Sequence, residues 1–353
     1  MSARAPASIE LARNALAAWA LADARVAPLH GGLINDTFAV DADSGAFVLQ
    51  RVHPVFPAAI HDNIAAVTER LIARGVATPT LIPTTGGALF DAPEGATWRL
   101  MTRMPGVSFA RVHELAQAHA AAGLLARFHE ALVDLPHVFV GMRTGVHDTS
   151  AHLHALERAI DEHRDHRLYT EVAWLGEAIA RGARRLPALG GVPERIVHGD
   201  PKLANVMFEG EHGEAAMRAS CLVDLDTVGP MALHLELGDM WRSWCNRRGE
   251  DEREAALDLG VFEAALAGYA GARAAPLAEE RAAALHGLEW ITLELAARFA
   301  ADALHERYFG WDPARFSGRG EHCLVRALGQ WSLHRQVLAS RPRRAELLRA
   351  AWA

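Results

Sequence analysis

The sequence predicts an α+β chain in two lobes, a small strand-rich N-terminal lobe over residues 1–103 and a larger, mostly helical C-terminal lobe over 104–353. Three observations carry this expectation. Up to residue 100 the chain alternates short apolar runs with turn signals, as strands do. Pro105-Gly106 then punctuates it. Beyond that point, long Ala-, Leu- and Arg-rich stretches with helical periodicity dominate, interrupted by one strand-rich island at 195–229.

The N-terminal stretch mixes acidic and basic residues into its apolar run, so it reads as an amphipathic surface helix rather than a signal peptide. Residues 24–40 read as strand, turn, strand, with Gly31 and Gly32 in the turn. A third strand follows at 46–52, then a helix at 58–75 that stops at Gly75. The runs PTLIPT, ALF and 97–104 read as further strands, and 101–106 as a hinge. Helices are expected at about 112–133, 150–187, 232–246, 252–272, 276–305 and 319–340.

Composition narrows the function classes. Half of the 353 residues are hydrophobic and 22% are charged, the profile of a globular chain. A net charge of −7 offers no footprint for nucleic acid or an anionic membrane. No apolar run without charges reaches the roughly 18–20 residues of a membrane helix. Cys221, Cys245 and Cys323 are odd in number and widely spaced, as expected of buried free thiols in a reducing cytoplasm. The histidine-rich runs at 151–154 and 162–166 lack the setting of a zinc site and read as solvated helix faces. Neither a Walker A pattern nor a Gly-x-Ser-x-Gly elbow is present.

The residues with chemistry concentrate in the island. His198-Gly199-Asp200-Pro201-Lys202-Leu203-Ala204-Asn205 contains the only lysine of the chain, in a sequence that otherwise uses arginine. Phosphoryl transfer needs a carboxylate for the acceptor proton, a cation for the transferring group, oxygen ligands for a divalent metal and a rigid backbone. Asp200, Lys202 and Asn205 supply the first two and part of the third. Leu222-Val223-Asp224-Leu225-Asp226 supplies further carboxylates, expected on one face of a strand. The Gly31–Gly32 turn would let backbone amides approach phosphates.

The HGDxKxxN loop followed by the Asp-x-Asp segment resembles the aminoglycoside phosphotransferase and choline kinase-like family, a distant branch of the bilobal protein-kinase-like fold. The resemblance implies ATP and Mg²⁺, with Asp200 as catalytic base, Asn205 and Asp224 as metal ligands, and backbone contacts to adenine from the Arg99–Met104 hinge, Met101 and Arg103 among them. GGLINDTF (31–38), FVLQRVH (47–53), VDLDTVGP (223–230) and ELAARFAADALHERYF (294–309) are similar to the N-acetylhexosamine 1-kinase branch. That closer resemblance implies phosphorylation of an anomeric sugar hydroxyl, with Arg298, Tyr308 and Asp36 near the sugar. Asp226 is expected beside substrate or a second ion. Other small alcohols (an aminoglycoside, a choline-like alcohol, homoserine) and a catalytically silent nucleotide-binding scaffold are the alternatives.

Two departures stand out. The HERYF segment is one residue shorter than the branch pattern. The family fold also carries a lysine on its third strand, and this chain has none there; Gln50 or Arg51 must replace it. Arg51 paired with Glu69 is the expected arrangement, because phosphates want a positive neighbour.

Overall fold

The computed structural model describes residues 7–29, 34–272 and 276–353. Gly31 and Gly32 fall outside them. The small lobe is one antiparallel sheet of β1 (Arg25–Pro28), β2 (Asp36–Ala42), β3 (Gly45–Arg51), β4 (Leu81–Ile82) and β5 (Trp98–Thr102), in the order β1-β2-β3-β5-β4. Helix α1 (Ile9–Ala15) packs beside it, capped by the Ser8 hydroxyl, which accepts from the Leu11 amide at 3.2 Å. Strand alternation turns Phe38, Val40 and Leu49 inward against Leu16, Trp19 and Trp98.

Helix α2 (Ile60–Ala73) carries Ile60, Ile64, Val67 and Leu71 at helical spacing. That stripe joins the core of the large lobe, so α2 bridges the two parts. The large lobe holds α3 (Leu115–Leu132), α4 (Thr149–Glu162) and α5 (Tyr169–Ala183). Next come the short strands β6 (Glu194–Val197), β7 (Val206–Phe208), β8 (Ala219–Leu222) and β9 (Gly229–Ala232). It closes with α6 (Leu233–Trp244), α7 (Leu259–Ala272), α8 (Ala278–His305), α9 (Arg319–Ala339) and α10 (Arg341–Ala351).

Three boundaries differ from the sequence expectation, each for a local reason. The stretch 150–187 forms two helices, because the polar run His163–Leu168 turns the chain between α4 and α5. Residues 252–258 stay outside α7, whose start is fixed where the Asp258 carboxylate accepts from the amides of Gly260 (2.8 Å) and Val261 (3.1 Å). Pro342 in the first turn of α10 separates it from α9. The three cysteines are unpaired and buried.

The 28-residue α8 runs through the large lobe and buries three glutamates, Glu280, Glu289 and Glu294, each 0% exposed. Each meets a cation or imidazole, as a buried carboxylate must. Glu280 pairs with Arg195, Glu289 with Arg344 (2.7 Å) and Arg341 (2.8 Å), and Glu294 with His147 (3.0 Å). Helix α8 crosses α6 closely at Gly238 and Gly287; a Cβ on Gly287 would meet the His234 carbonyl oxygen at 1.9 Å.

Candidate active site

The loop after β6 is built by hydrogen bonds that the apolar pattern around it does not reveal. The amides of His198 and Gly199 donate to the two carboxylate oxygens of Glu236, at 3.0 and 2.9 Å. Glu236 is itself buried on α6 and touched by His129. The His198 ring donates from Nε2 to the Val223 carbonyl (3.0 Å), which ties the loop to the residue before Asp224. The Thr227 hydroxyl donates to the His198 carbonyl at 3.0 Å. Gly199 sits at φ +82°, and a Cβ there would meet the Thr227 carbonyl oxygen at 2.4 Å. Glycine is therefore required by both backbone and space.

This framework presents Asp200. Its Oδ2 accepts from Lys202 Nζ at 2.6 Å and from Asn205 Nδ2 at 3.1 Å, while the same Asn205 amide reaches the Asp200 carbonyl at 2.9 Å. Oδ1 of Asp200 and Oδ1 of Asn205 have no partner among the described residues. Burial alone would raise the Asp200 carboxyl, but the Lys202 ammonium, through charge and hydrogen bond, outweighs it and holds the carboxyl below its usual range. Lys202 moves the opposite way: burial opposes its charge, yet Asp200, Asp224 and Asp239 raise it.

Strand β7 pairs with β8, and the Val223 amide donates to the Asn205 carbonyl at 2.9 Å, so Asn205 and Asp224 become neighbours. The sequence expectation of two aspartates on one strand face is corrected here. Strand β8 ends at Leu222, Asp224 adopts φ +67°, and Leu225–Thr227 form a helical turn. The two carboxylates consequently separate. Asp224 is exposed at the surface yet crowded by protein atoms. That desolvation, reinforced by Asp226 and Asp200 and opposed by Lys202 and Arg99, pushes its carboxyl up to about 6. A divalent cation would supply the charge this carboxylate lacks, and Asn205 Oδ1 could share the ion.

Asp226 turns inward instead. Its Oδ1 lies 2.5 Å from Arg99 Nη1 and its Oδ2 accepts from Asn35 Nδ2 at 2.7 Å, with side chains of Arg99 and Asp226 only 1% and 2% exposed. The register that sets Thr37 opposite Gln50, and Gln50 opposite Arg99, explains this contact. The three side chains share one face of the sheet. Arg99 Nε and Nη2 donate to Gln50 Oε1 at 2.9 and 2.7 Å. Arg51 points to the other face and closes on Asp36, at 2.7 Å from Nε and 2.6 Å from Nη2. The expected Arg51–Glu69 pair is not formed, because Glu69 is exposed on α2 and strand alternation takes Arg51 away from it. The cation that lines up with Gln50 comes from β5, as Arg99.

The remaining sequence candidates are distributed around this centre. Met101 lies in β5 opposite Val48 and Leu81. The Arg103 amide donates to the Ala46 carbonyl at 3.1 Å, so that amide is committed within the sheet and cannot serve adenine. Tyr308 is half exposed, and its hydroxyl accepts from Arg143 at 3.0 Å. Arg298 lies 3.7 Å from Glu294. A cavity of about 360 Å³ opens beside the loop, with Gly199, Asp226 and Thr227 on one side and Arg143, Val146 and His147 on another. Glu236, Arg99, His147 and Glu294 were not singled out from sequence. The only signal for the glutamates is a carboxylate inside an otherwise apolar helix stripe.

A five-stranded antiparallel sheet set against a helical lobe, with the Asp200 loop between them, defines the protein-kinase-like fold. The chain belongs to the phosphotransferase enzyme family, whose model matches residues 25–277, and is a small-molecule kinase-like phosphotransferase. It is similar in fold to an aminoglycoside phosphotransferase from Alicyclobacillus acidocaldarius (15% identity, 98% of each chain covered, TM-score 0.64). It is also similar to a microcompartment-associated aminopropanol kinase (15% identity, 95% of this chain and 98% of that one, TM-score 0.62). A third similar structure is an amicoumacin kinase in complex with AMP-PNP, Ca²⁺ and Ami (13% identity, 88% of each chain, TM-score 0.57). No helix among the described residues is long and apolar enough to cross a membrane.

Proposed function

We propose that this protein transfers the γ-phosphoryl group of ATP, with Mg²⁺, to a hydroxyl of a small neutral sugar, the anomeric hydroxyl of an N-acetylhexosamine being the first acceptor to test. The observation that carries the reading is the division of the Asp200 carboxylate: Oδ2 is held by Lys202 and Asn205, while Oδ1 has no partner among the described residues. A general base needs one oxygen anchored and the other available to the substrate proton. Asp200 orients the acceptor hydroxyl and takes its proton. Lys202 offsets negative charge as the bond to ADP breaks. Asn205 and Asp224 are the residues that would hold Mg²⁺, which when bound neutralises phosphate charge. The amicoumacin kinase, seen with a nucleotide analogue and a divalent cation, supports this pairing by analogy of fold.

The cavity wall presents Arg143 and His147 but also Asp148, Glu194 and Asp226, so its charge does not separate a neutral acceptor from an aminoglycoside or choline-like cation, and both classes belong in the test. Arg298 and Tyr308 adjoin that wall through Glu294 and Arg143, in keeping with a role near the sugar. Asp36 and Asp226, engaged by Arg51 and Arg99, serve better as supports of the site than as direct sugar ligands.

The test is ADP release across a panel of sugars, aminoglycosides and amino alcohols, with NMR of the product, for the wild type and Asp200→Asn. Turnover on a neutral sugar, lowered about 10²–10⁴-fold by the substitution, is expected. Retention of more than about a tenth of the activity would remove Asp200 as base. ATP-dependent stabilisation without turnover on any acceptor would favour a silent nucleotide-binding scaffold.

A further inference from the structure

We propose that Asn35 is a positioning residue for the metal carboxylate Asp224, acting from the small lobe through Asp226. This rests on reading Asn205 and Asp224 as the residues that would hold Mg²⁺. Asp224 adopts φ +67°. A non-glycine residue keeps such a backbone only where its surroundings hold it. Asp224 is held from both sides. Before it, the Val223 amide donates to the Asn205 carbonyl at 2.9 Å, and the Val223 carbonyl accepts from His198 Nε2 at 3.0 Å. Both anchors belong to the large lobe. After it, Leu225 is buried in the large-lobe core, and Asp226 reaches the other lobe. Oδ1 of Asp226 lies 2.5 Å from Arg99 Nη1 in β5. Oδ2 accepts from Nδ2 of Asn35, the residue before β2, at 2.7 Å.

A carboxylate gripped at one oxygen can pivot about that contact; gripped at both, it is fixed in orientation. Asn35 supplies the second grip, and its own amide is braced in turn: Oδ1 accepts from the His53 amide at 2.9 Å. The orientation of the Asn35 amide follows from these partners, because a carboxylate only accepts and a backbone N–H only donates. The residue therefore ties the chain just after β3 to the segment that carries Asp224. Asp226 and Arg99 both lie within electrostatic reach of Asp224. His61 on α2 is within the same reach of Arg99 and Asp226, but burial lowers its pKa and its Nδ1 is committed to the Ala58 carbonyl at 2.7 Å. Arg99 thus answers the charge of Asp226, and Asn35 fixes its direction. Without Asn35, Asp226 keeps one grip instead of two, and a smaller fraction of the protein presents Asp224 and Asn205 as a ready pair. A cation then binds with an apparent affinity reduced by that fraction.

A purely structural role, in which Asn35 only braces the chain at the His53 amide, predicts a lower melting temperature and an unchanged Mg²⁺ requirement. Two variants separate the roles. Asn35→Ala removes both contacts. Asn35→Asp keeps an oxygen for the His53 amide but sets a carboxylate against Asp226. The readout is the Mg²⁺ concentration that gives half of the ATP-dependent thermal stabilisation, alongside denaturant unfolding of the metal-free proteins. Asn35→Ala should need about tenfold more Mg²⁺, the worth of a hydrogen bond to a charged group, and excess Mg²⁺ should restore the full stabilisation. Asn35→Asp should need at least as much, although a further carboxylate would by charge alone tighten a cation. Asp224→Asn should not be restored at any Mg²⁺ concentration. An unchanged Mg²⁺ requirement in Asn35→Ala, whatever its unfolding free energy, or a lowered one in Asn35→Asp would overturn the proposal. Should the wild type show no Mg²⁺-dependent stabilisation with ATP, or Asp224→Asn keep it, the reading of the metal site itself fails. Stabilisation that depends on Asp224 but is indifferent to both Asn35 variants would sink only the positioning role.

Discussion

On the small-lobe side of the cleft, Arg51 is closed onto Asp36 and Arg99 onto Asp226 and Gln50. On the large-lobe side, Asp200 and Asn205 each keep one oxygen without a partner among the described residues, and Asp224 has its carboxyl pushed up to about 6. Ion pairs on the first side are satisfied within the protein; on the second, charge is held in reserve for something that binds. The contrast is sharpest between Asp224 and Asp226, two residues apart. One left-handed backbone position at Asp224 leaves the first carboxylate exposed and turns the second to a buried arginine. In the proposed mechanism the small lobe therefore holds the site in shape, and the large lobe carries the groups that act.

Substitutions test that division, and the largest effects belong on the open side. Asp224→Asn should lower turnover at least about 100-fold in a steady-state ADP-release assay while leaving the fold intact, since no described residue is hydrogen-bonded to that carboxylate. Turnover near wild type would place the metal elsewhere. On the closed side, Arg99→Met strands the buried Asp226 carboxylate and should cost about 3–5 kcal/mol in denaturant unfolding. Adding Asp226→Asn should recover a large part of that loss, because the two residues act as one unit. Simple additivity would contradict the pairing.

Acid should separate the two sides further. His234 and His334 are buried, and burial lowers both to about 4. The unfolded chain takes up protons below about pH 6.5, whereas these two do so only near 4, so stability is lost as pH falls through that window. Each can contribute up to roughly 3 kcal/mol. Melting temperatures measured from pH 7 to 4 should decline, and His334→Asn should flatten part of the decline. An unchanged profile would argue that these imidazoles are not held neutral. The smallest effect is expected from Arg51→Ala: a partly buried pair with Asp36 is lost, at about 1 kcal/mol, with ATP affinity altered less than threefold. A tenfold loss of ATP affinity by calorimetry would return Arg51 to the phosphates.

The Asp200 loop was legible in the sequence because its residues are local: Asp200, Lys202 and Asn205 lie within six positions, and the lone lysine marks them. The lobes and most helices were legible from periodicity. The small-lobe cation was not. Choosing between Gln50 and Arg51 needed the face of β3, and finding Arg99 needed the pairing of β3 with β5, which is non-local. The His147–Glu294 contact was hidden for the same reason: the two residues are 147 apart in sequence and meet only where α8 passes the segment before α4. The Asp224–Asp226 geometry was misread because a left-handed aspartate has no signature in the residue pattern.

Asp200 and Asp224 have separate duties in the proposed mechanism, and thermal-shift titration with ATP, with and without Mg²⁺, measures them side by side. Asp200→Asn should keep the Mg²⁺-dependent stabilisation seen with the wild type, and Asp224→Asn should lose it. Equal Mg²⁺-dependence in Asp224→Asn and the wild type would contradict the assignment.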